Sequence, residues 1–167
     1  MRLAAAAVLV VLIASACSDR EPPALTGGAL TAVSGPGTGP VSVNSAPNKG
    51  KSSLENLQLP RDESGHATIA FQFNGGLPAA EIEYVEEVVD CRTGVRLSRR
   101  GSGHLLVRFD ELLNPKQIGG LVANSLEMFS AYGFQGEAAW AVRVSSQSAF
   151  SVSTGTDPWR LLIQIEQ

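Results

Sequence analysis

The segment Arg61–Gln167 predicts an all-β fold, a small β-sandwich, and three observations predict it. Apolar and polar residues alternate at period two in run after run. Each run is short, and most are bounded by Gly, Pro, Asn or Asp turn formers. Many short alternating strands separated by turns pack as two sheets or a barrel. The segment is long enough to bury one modest core, and it shows no internal repeat.

The elements follow in order. Ile69, Phe71 and Phe73 alternate with Thr68, Ala70 and Gln72, and Asn74-Gly75-Gly76-Leu77-Pro78 ends that run. Ile82 and Tyr84 alternate with Glu81 and Glu83, and Val88 continues the parity of Ile82. Gly101-Ser102-Gly103 precedes Leu105, Val107 and Phe109. Leu121–Tyr132 is compatible with a short helix or with a crossover loop plus a strand. Ala138, Trp140, Val142 and Val144 form the next inward row, with Trp140 read as core. Phe150 and Val152 follow, and after Gly155-Thr156-Asp157-Pro158 come Leu161, Ile163 and Ile165.

The N-terminus reads differently. Met1-Arg2 is a short cationic start, and Leu3–Ala14 is an unbroken apolar run. A membrane span needs about 20 apolar residues, so this run has the size of a signal-peptide core instead. Ala14-Ser15-Ala16-Cys17 resembles a bacterial lipobox, with Ala14 where Leu is typical. The expectation is a lipoprotein signal over residues 1–16 and a lipidated Cys17. Two acyl chains there would anchor the chain stably. An ordinary secretory signal cleaved after Ala16 is the plainer alternative. Either way the protein is expected outside the cytoplasm, and with the lipid it sits on the extracytoplasmic face of the cell membrane.

Residues 17–60 are read as the lipidated cysteine and a disordered linker. Thr-Gly-Gly, Gly-Pro-Gly-Thr-Gly-Pro and Ser-Ala-Pro-Asn-Lys-Gly give flexible-linker composition, and few large apolar residues recur. Fully extended, such a linker reaches at most ~150 Å, at ~3.3–3.6 Å per residue. That places a domain, residues 61–167, at the end of a long tether.

Charge and cysteine count exclude several functions. With 13 basic and 16 acidic residues, net −3, no electrostatic nucleic-acid partner is expected. Two cysteines allow neither a disulfide framework nor a four-thiolate zinc site. His66 and His104 each open a strand after a glycine and are expected at exposed strand ends, so no metal and no cofactor is expected. Gly101-Ser102-Gly103-His104 lacks the G-x-S-x-G order of a nucleophile elbow. Cys91, between Asp90 and Arg92, is read as a structural cysteine rather than a nucleophile. Glu81, Glu83 and Glu87 lie opposite Ile82 and Tyr84, on a face read as solvated rather than as a carboxylate dyad. No catalytic residue is expected.

The candidate ligand-binding residues are Arg108, Arg143, Arg160 and Trp159. The three arginines fall at outward parity between inward apolar residues. Guanidinium forks take carboxylates or phosphates bidentately, as wall polymers would present them. The plainer reading pairs them with nearby glutamates. Arg92, Arg96, Arg99 and Arg100 add a basic, turn-rich cluster. Trp159 reads either as a sugar-stacking ring at a sheet edge or as core.

Three stretches carry a family resemblance. Phe71–Glu87 (FQFNGGLPAAEIEYVEE) resembles the opening of the AMIN-like domain of actinobacterial-type lipoproteins. His104–Pro115 (HLLVRFDELLNP) resembles its third segment, and Phe134–Ile165 resembles its paired closing strands. Lys116–Ala131 departs from that pattern. The resemblance implies a non-enzymatic β-sandwich in the cell envelope that binds peptidoglycan or another wall polymer. The alternative is a protein–protein interaction module for an envelope enzyme or secretion component.

Overall fold

A computed structural model describes residues 28–46, 52–60, 66–90, 93–97, 103–113, 121–123, 126–134, 137–144 and 146–166. They form a β-sandwich of two six-stranded sheets, as the alternation predicts. Strands β1 (Leu30–Gly37), β3 (Ser52–Gln58), β4 (Ala67–Asn74), β7 (Leu112–Leu113), β11 (Phe150–Thr156) and β12 (Trp159–Ile165) make the first sheet, in the order β1-β11-β12-β4-β3-β7. Strands β2 (Val41–Val43), β5 (Ala80–Val85), β6 (Gly103–Phe109), β8 (Leu121–Ala123), β9 (Leu126–Phe134) and β10 (Glu137–Val144) make the second, in the order β2-β5-β6-β10-β9-β8. All pairings are antiparallel except β3 with β7.

The inward rows are the ones the sequence marks. Ile69, Phe71 and Phe73 of β4 face Ile82, Leu105, Val107, Phe109, Trp140 and Val142 across the layer, all buried. Phe71 and Phe73 lie parallel and meet Phe109 edge to face, as Phe109 meets Trp140, with Phe71–Phe109 centroids at 4.9 Å and Phe109–Trp140 at 5.6 Å. Such pairs add to the stabilisation from apolar area removed from water, about 25 cal/mol per Å². Asn74 is followed by Gly75 and Gly76 at φ 88° and 144°, backbone that side chains with a Cβ avoid. That turn lets β4 of one sheet pass directly to β5 of the other. Tyr84 closes the opposite end. Its ring packs on Phe150 at 5.7 Å, and its hydroxyl donates to the Ser148 carbonyl at 2.8 Å, tying the β10–β11 connection to β5.

Four sequence expectations are corrected or resolved here. Residues 17–60 are not one disordered linker: β1, β2 and β3 all lie within them. The reason for β1 and β2 is that edge strands can be held by backbone bonds with little apolar burial. Even so, Val43 and Leu54 reach the core. The described residues of Leu121–Tyr132 are strand, since β8 and β9 pair with each other and β9 continues onto β10. Val88 leaves the parity of Ile82 because β5 ends at Val85. The chain then crosses to the outer face of the second sheet, where Val88 packs with Ala131, Ala139 and Ala141. The same outer face holds His104. It is expected at an exposed strand end yet has 0 % exposure, with Phe129 edge-on at 6.1 Å. His66 is only half-buried.

Candidate binding surfaces

The outer face of the second sheet carries Glu81, Glu83, Arg108 and Arg143 of the side chains that the sequence singles out. Register decides how they meet. Glu81 lies directly opposite Arg108 across β5 and β6, and Arg143 directly opposite Glu127 across β10 and β9. Opposite charges at facing positions on one face are the favourable arrangement for a cross-strand pair. Arg108 accordingly bonds Glu83 and lies 3.3 Å from Glu81, and Arg143 bonds Glu127. On the covering segment Arg96 grips Glu87 with both arms of its fork, Nη2 to Oε2 at 2.9 Å. Asp90 shapes that segment, its side chain accepting from the Thr93 amide at 3.2 Å and its own amide donating to Val95 at 2.9 Å. Each of these partly exposed pairs contributes only about 0.2–1 kcal/mol. Their chemical consequence is larger, because the guanidinium forks of Arg96, Arg108 and Arg143 already hold carboxylates.

Arg160 has a different fate despite the same parity. It is 3 % exposed, a correction to its expected place on an open face. Its cross-strand neighbour is Gly155, and its Nε and Nη2 both lie 3.4 Å from where a Gly155 Cβ would stand. The missing side chain is what makes room for a guanidinium flat against the sheet. From there Nη2 donates to the Gly28 carbonyl at 3.2 Å. The Gly28 amide donates in turn to the Asp157 carbonyl at 2.9 Å. The segment preceding β1 is thus pinned to the β11–β12 turn by its own backbone and by a buried arginine.

Four strands flank the two sheets, and they differ in length. β7, β2 and β8 have two or three residues each, whereas β1 has 8. Short edges are a common way to keep strangers from pairing. β1 lacks that protection over Leu30–Ser34. It has no buried residue, exposes Leu30 and Val33, and carries no charge; the sequence has none from Pro22 to Asn48. Its hold on β11 has two register shifts, and at one of them the Val152 amide donates to the Ser34 hydroxyl at 3.2 Å instead of a carbonyl. Gly35-Pro36-Gly37 blunts only the far half.

The four named binding candidates do not converge. Arg108 and Arg143 share the outer face of the second sheet, while Arg160 and Trp159 belong to the first. Trp159 is half-buried against the core at the start of β12, a strand with neighbours on both sides, so it is not at a lateral sheet edge. Cys17, Cys91, Arg92, Arg99 and Arg100 lie outside the described residues. Among the described residues no group of three or more His, Cys, Asp or Glu is placed to hold a metal ion, and no helix is long and apolar enough to cross a membrane. The β1 edge was the surface sequence reasoning missed. Its signal was the apolar spacing of Val33, Val41 and Val43 inside an uncharged stretch, masked by the glycines and prolines around it. Compared with family models, curated proteins and solved structures, the chain has no match.

Proposed function

We propose that this chain is a lipid-anchored envelope protein, attached through Cys17 on the extracytoplasmic face, whose β-sandwich is a non-catalytic interaction module. No cofactor is part of this reading. The partner is an extended segment of an envelope protein that pairs with the free edge of β1. The observation that carries the choice is that edge: eight residues long, uncharged and, among the described residues, shielded only at its Pro36 end. Backbone pairing there supplies affinity, and Leu30 and Val33 supply apolar side-chain contact.

Peptidoglycan or another anionic wall polymer is the second ligand, favoured by the AMIN-like resemblance. Its weakness is chemical: Arg108 and Arg143 already hold glutamates, and Arg160 is buried against Gly155. The two ligands are separated by incubating the full chain, carrying a photo-crosslinker at Val33, with envelopes and with protein-free sacculi. A discrete protein adduct at Val33, absent when the crosslinker sits at exposed Val122, supports edge pairing. Salt-resistant retention on sacculi that R108A and R143A abolish would replace it with wall-polymer binding.

A further inference from the structure

Counting residues between the anchor and the fold changes where the domain works. The sequence alone suggests a tether ending near Pro60, but the chain is already fixed to the sandwich at Gly28, by Asp157 and Arg160. Between Cys17 and that point lie only Ser18–Gly27. Ten residues span at most about 35 Å when fully extended. A strand of 7 residues such as β12 is itself about 23 Å long. Even at full extension the leash is only about one and a half such strand lengths.

The end of the sandwich nearest the leash is equally defined. Asp157-Pro158 forms the turn beside Gly28, and Trp159 follows it, paired with Phe73 in the neighbouring strand. Trp159 packs against the core from the inward row but is only partly covered. Leu30, 49 % exposed, lies on β1 opposite Gly155 at the same end. The half-covered indole suits the boundary between head groups and acyl chains, where tryptophan is enriched, while Leu30 stands at the same end on the outer face of the sheet, at the Gly155 position with Arg160.

From these placements we infer that the Asp157–Trp159 end of the sandwich is seated on the lipid surface, with Trp159 as its interfacial contact. The inference rests on the reading that Cys17 carries the lipid. It reassigns Trp159 from a sugar-stacking residue to a membrane contact, and it directs the β1 edge to partners at the membrane rather than to the distant wall. The exposed carboxylates of Asp110, Glu111 and Asp157 gather at this end, since the Asp110 amide bonds the Ala79 carbonyl just after the β4–β5 turn. They make the seat one for neutral head groups, as an anionic surface within a Debye length repels them.

The test uses the full lipidated chain in neutral phosphatidylcholine vesicles, plain or with acyl chains brominated near the head group. Flotation and the intact mass at Cys17 read the anchor alone. Trp159 and Trp140 are the two tryptophans, and Trp140 is wholly buried, so quenching reports Trp159. The expected result is Trp159 emission about twofold lower in brominated vesicles, with the quenching lost in W159F and weakened by anionic lipid. Inserting about 30 Gly/Ser residues between Gly27 and Gly28 leaves the fold untouched and is also expected to abolish most of it. A chain that floats with lipid on Cys17 but shows no quenching, or quenching that survives W159F, overturns the seating. A chain with no lipid mass that does not float overturns the anchor itself, and the seating with it.

Discussion

Strands β1 and β10 are each 8 residues long, and they sit in the sandwich for opposite reasons. In β10, six of the eight residues are buried, and Trp140 stands at the centre of the aromatic cluster. In β1 none is buried. What holds β1 is a backbone ladder to β11, one serine hydroxyl and the arginine clamp at Gly28. The first kind of strand is written in side chains, and the second is held by groups every residue possesses. The comparison teaches that the stability of this protein and its capacity to take a partner reside in different strands.

The largest break in that contrast is expected in the core. Trp140→Ala removes an indole contacting Phe71 and Phe109, and should cost about 3–5 kcal/mol, read as a fall in denaturation midpoint at unchanged slope. Deleting residues through Gly37 should be far milder, about 1–3 kcal/mol, because what it strips is hydrogen bonding rather than core. The truncated chain is expected to keep its near-ultraviolet signature from Trp140. A truncation as damaging as Trp140→Ala would show that β1 belongs to the core after all.

The same contrast explains what could be read from sequence. Ile69, Phe71, Phe73, Leu105, Val107, Trp140 and Leu161 announced their strands because alternation is the signature of burial on one side. β1 to β3 gave no such signal: Gly35, Pro36, Gly39 and Pro40 are what a linker contains, and what an irregular edge tolerates. Val88 and His104 were misplaced for another reason. Parity tells which face a residue takes only while the strand lasts, and says nothing about whether another segment covers that face. Arg160 was read correctly as outward. Its burial depends on Gly155, five residues earlier and across a turn, and that pairing is visible only once the β11–β12 register is known.

Arg160 and Arg143 offer a sharper version of the comparison within one residue type. Arg160→Met keeps the stem but leaves the Gly28 carbonyl without its guanidinium donor, and should cost about 1–3 kcal/mol. Hydrogen exchange at the Gly28 amide, which bonds Asp157, should quicken with it. Tyr84→Phe comes next, at about 1 kcal/mol, for the lost bond to Ser148. It carries a pH signature as well. Burial raises the Tyr84 pKa above its ordinary 10.0, an effect the bond to Ser148 partly offsets. A raised value means the folded state favours the protonated phenol. That stability is complete below pH 10 and is lost as pH climbs through the higher folded value. The alkaline arm of the stability profile should therefore flatten in Tyr84→Phe.

Smallest of all should be the Arg143–Glu127 pair. Both side chains are partly exposed, so water competes for each charge and salt screens their attraction. A double-mutant cycle with Arg143→Ala and Glu127→Ala is expected to give a coupling of about 0.2–1 kcal/mol, shrinking further in molar salt. The value matters for function more than for stability. A weak, salt-sensitive coupling means Glu127 can be displaced by a better carboxylate or phosphate, which would return Arg143 to the wall-polymer reading. A coupling well above that range would mean the fork is committed to Glu127, leaving the β1 edge as the surface open to a partner.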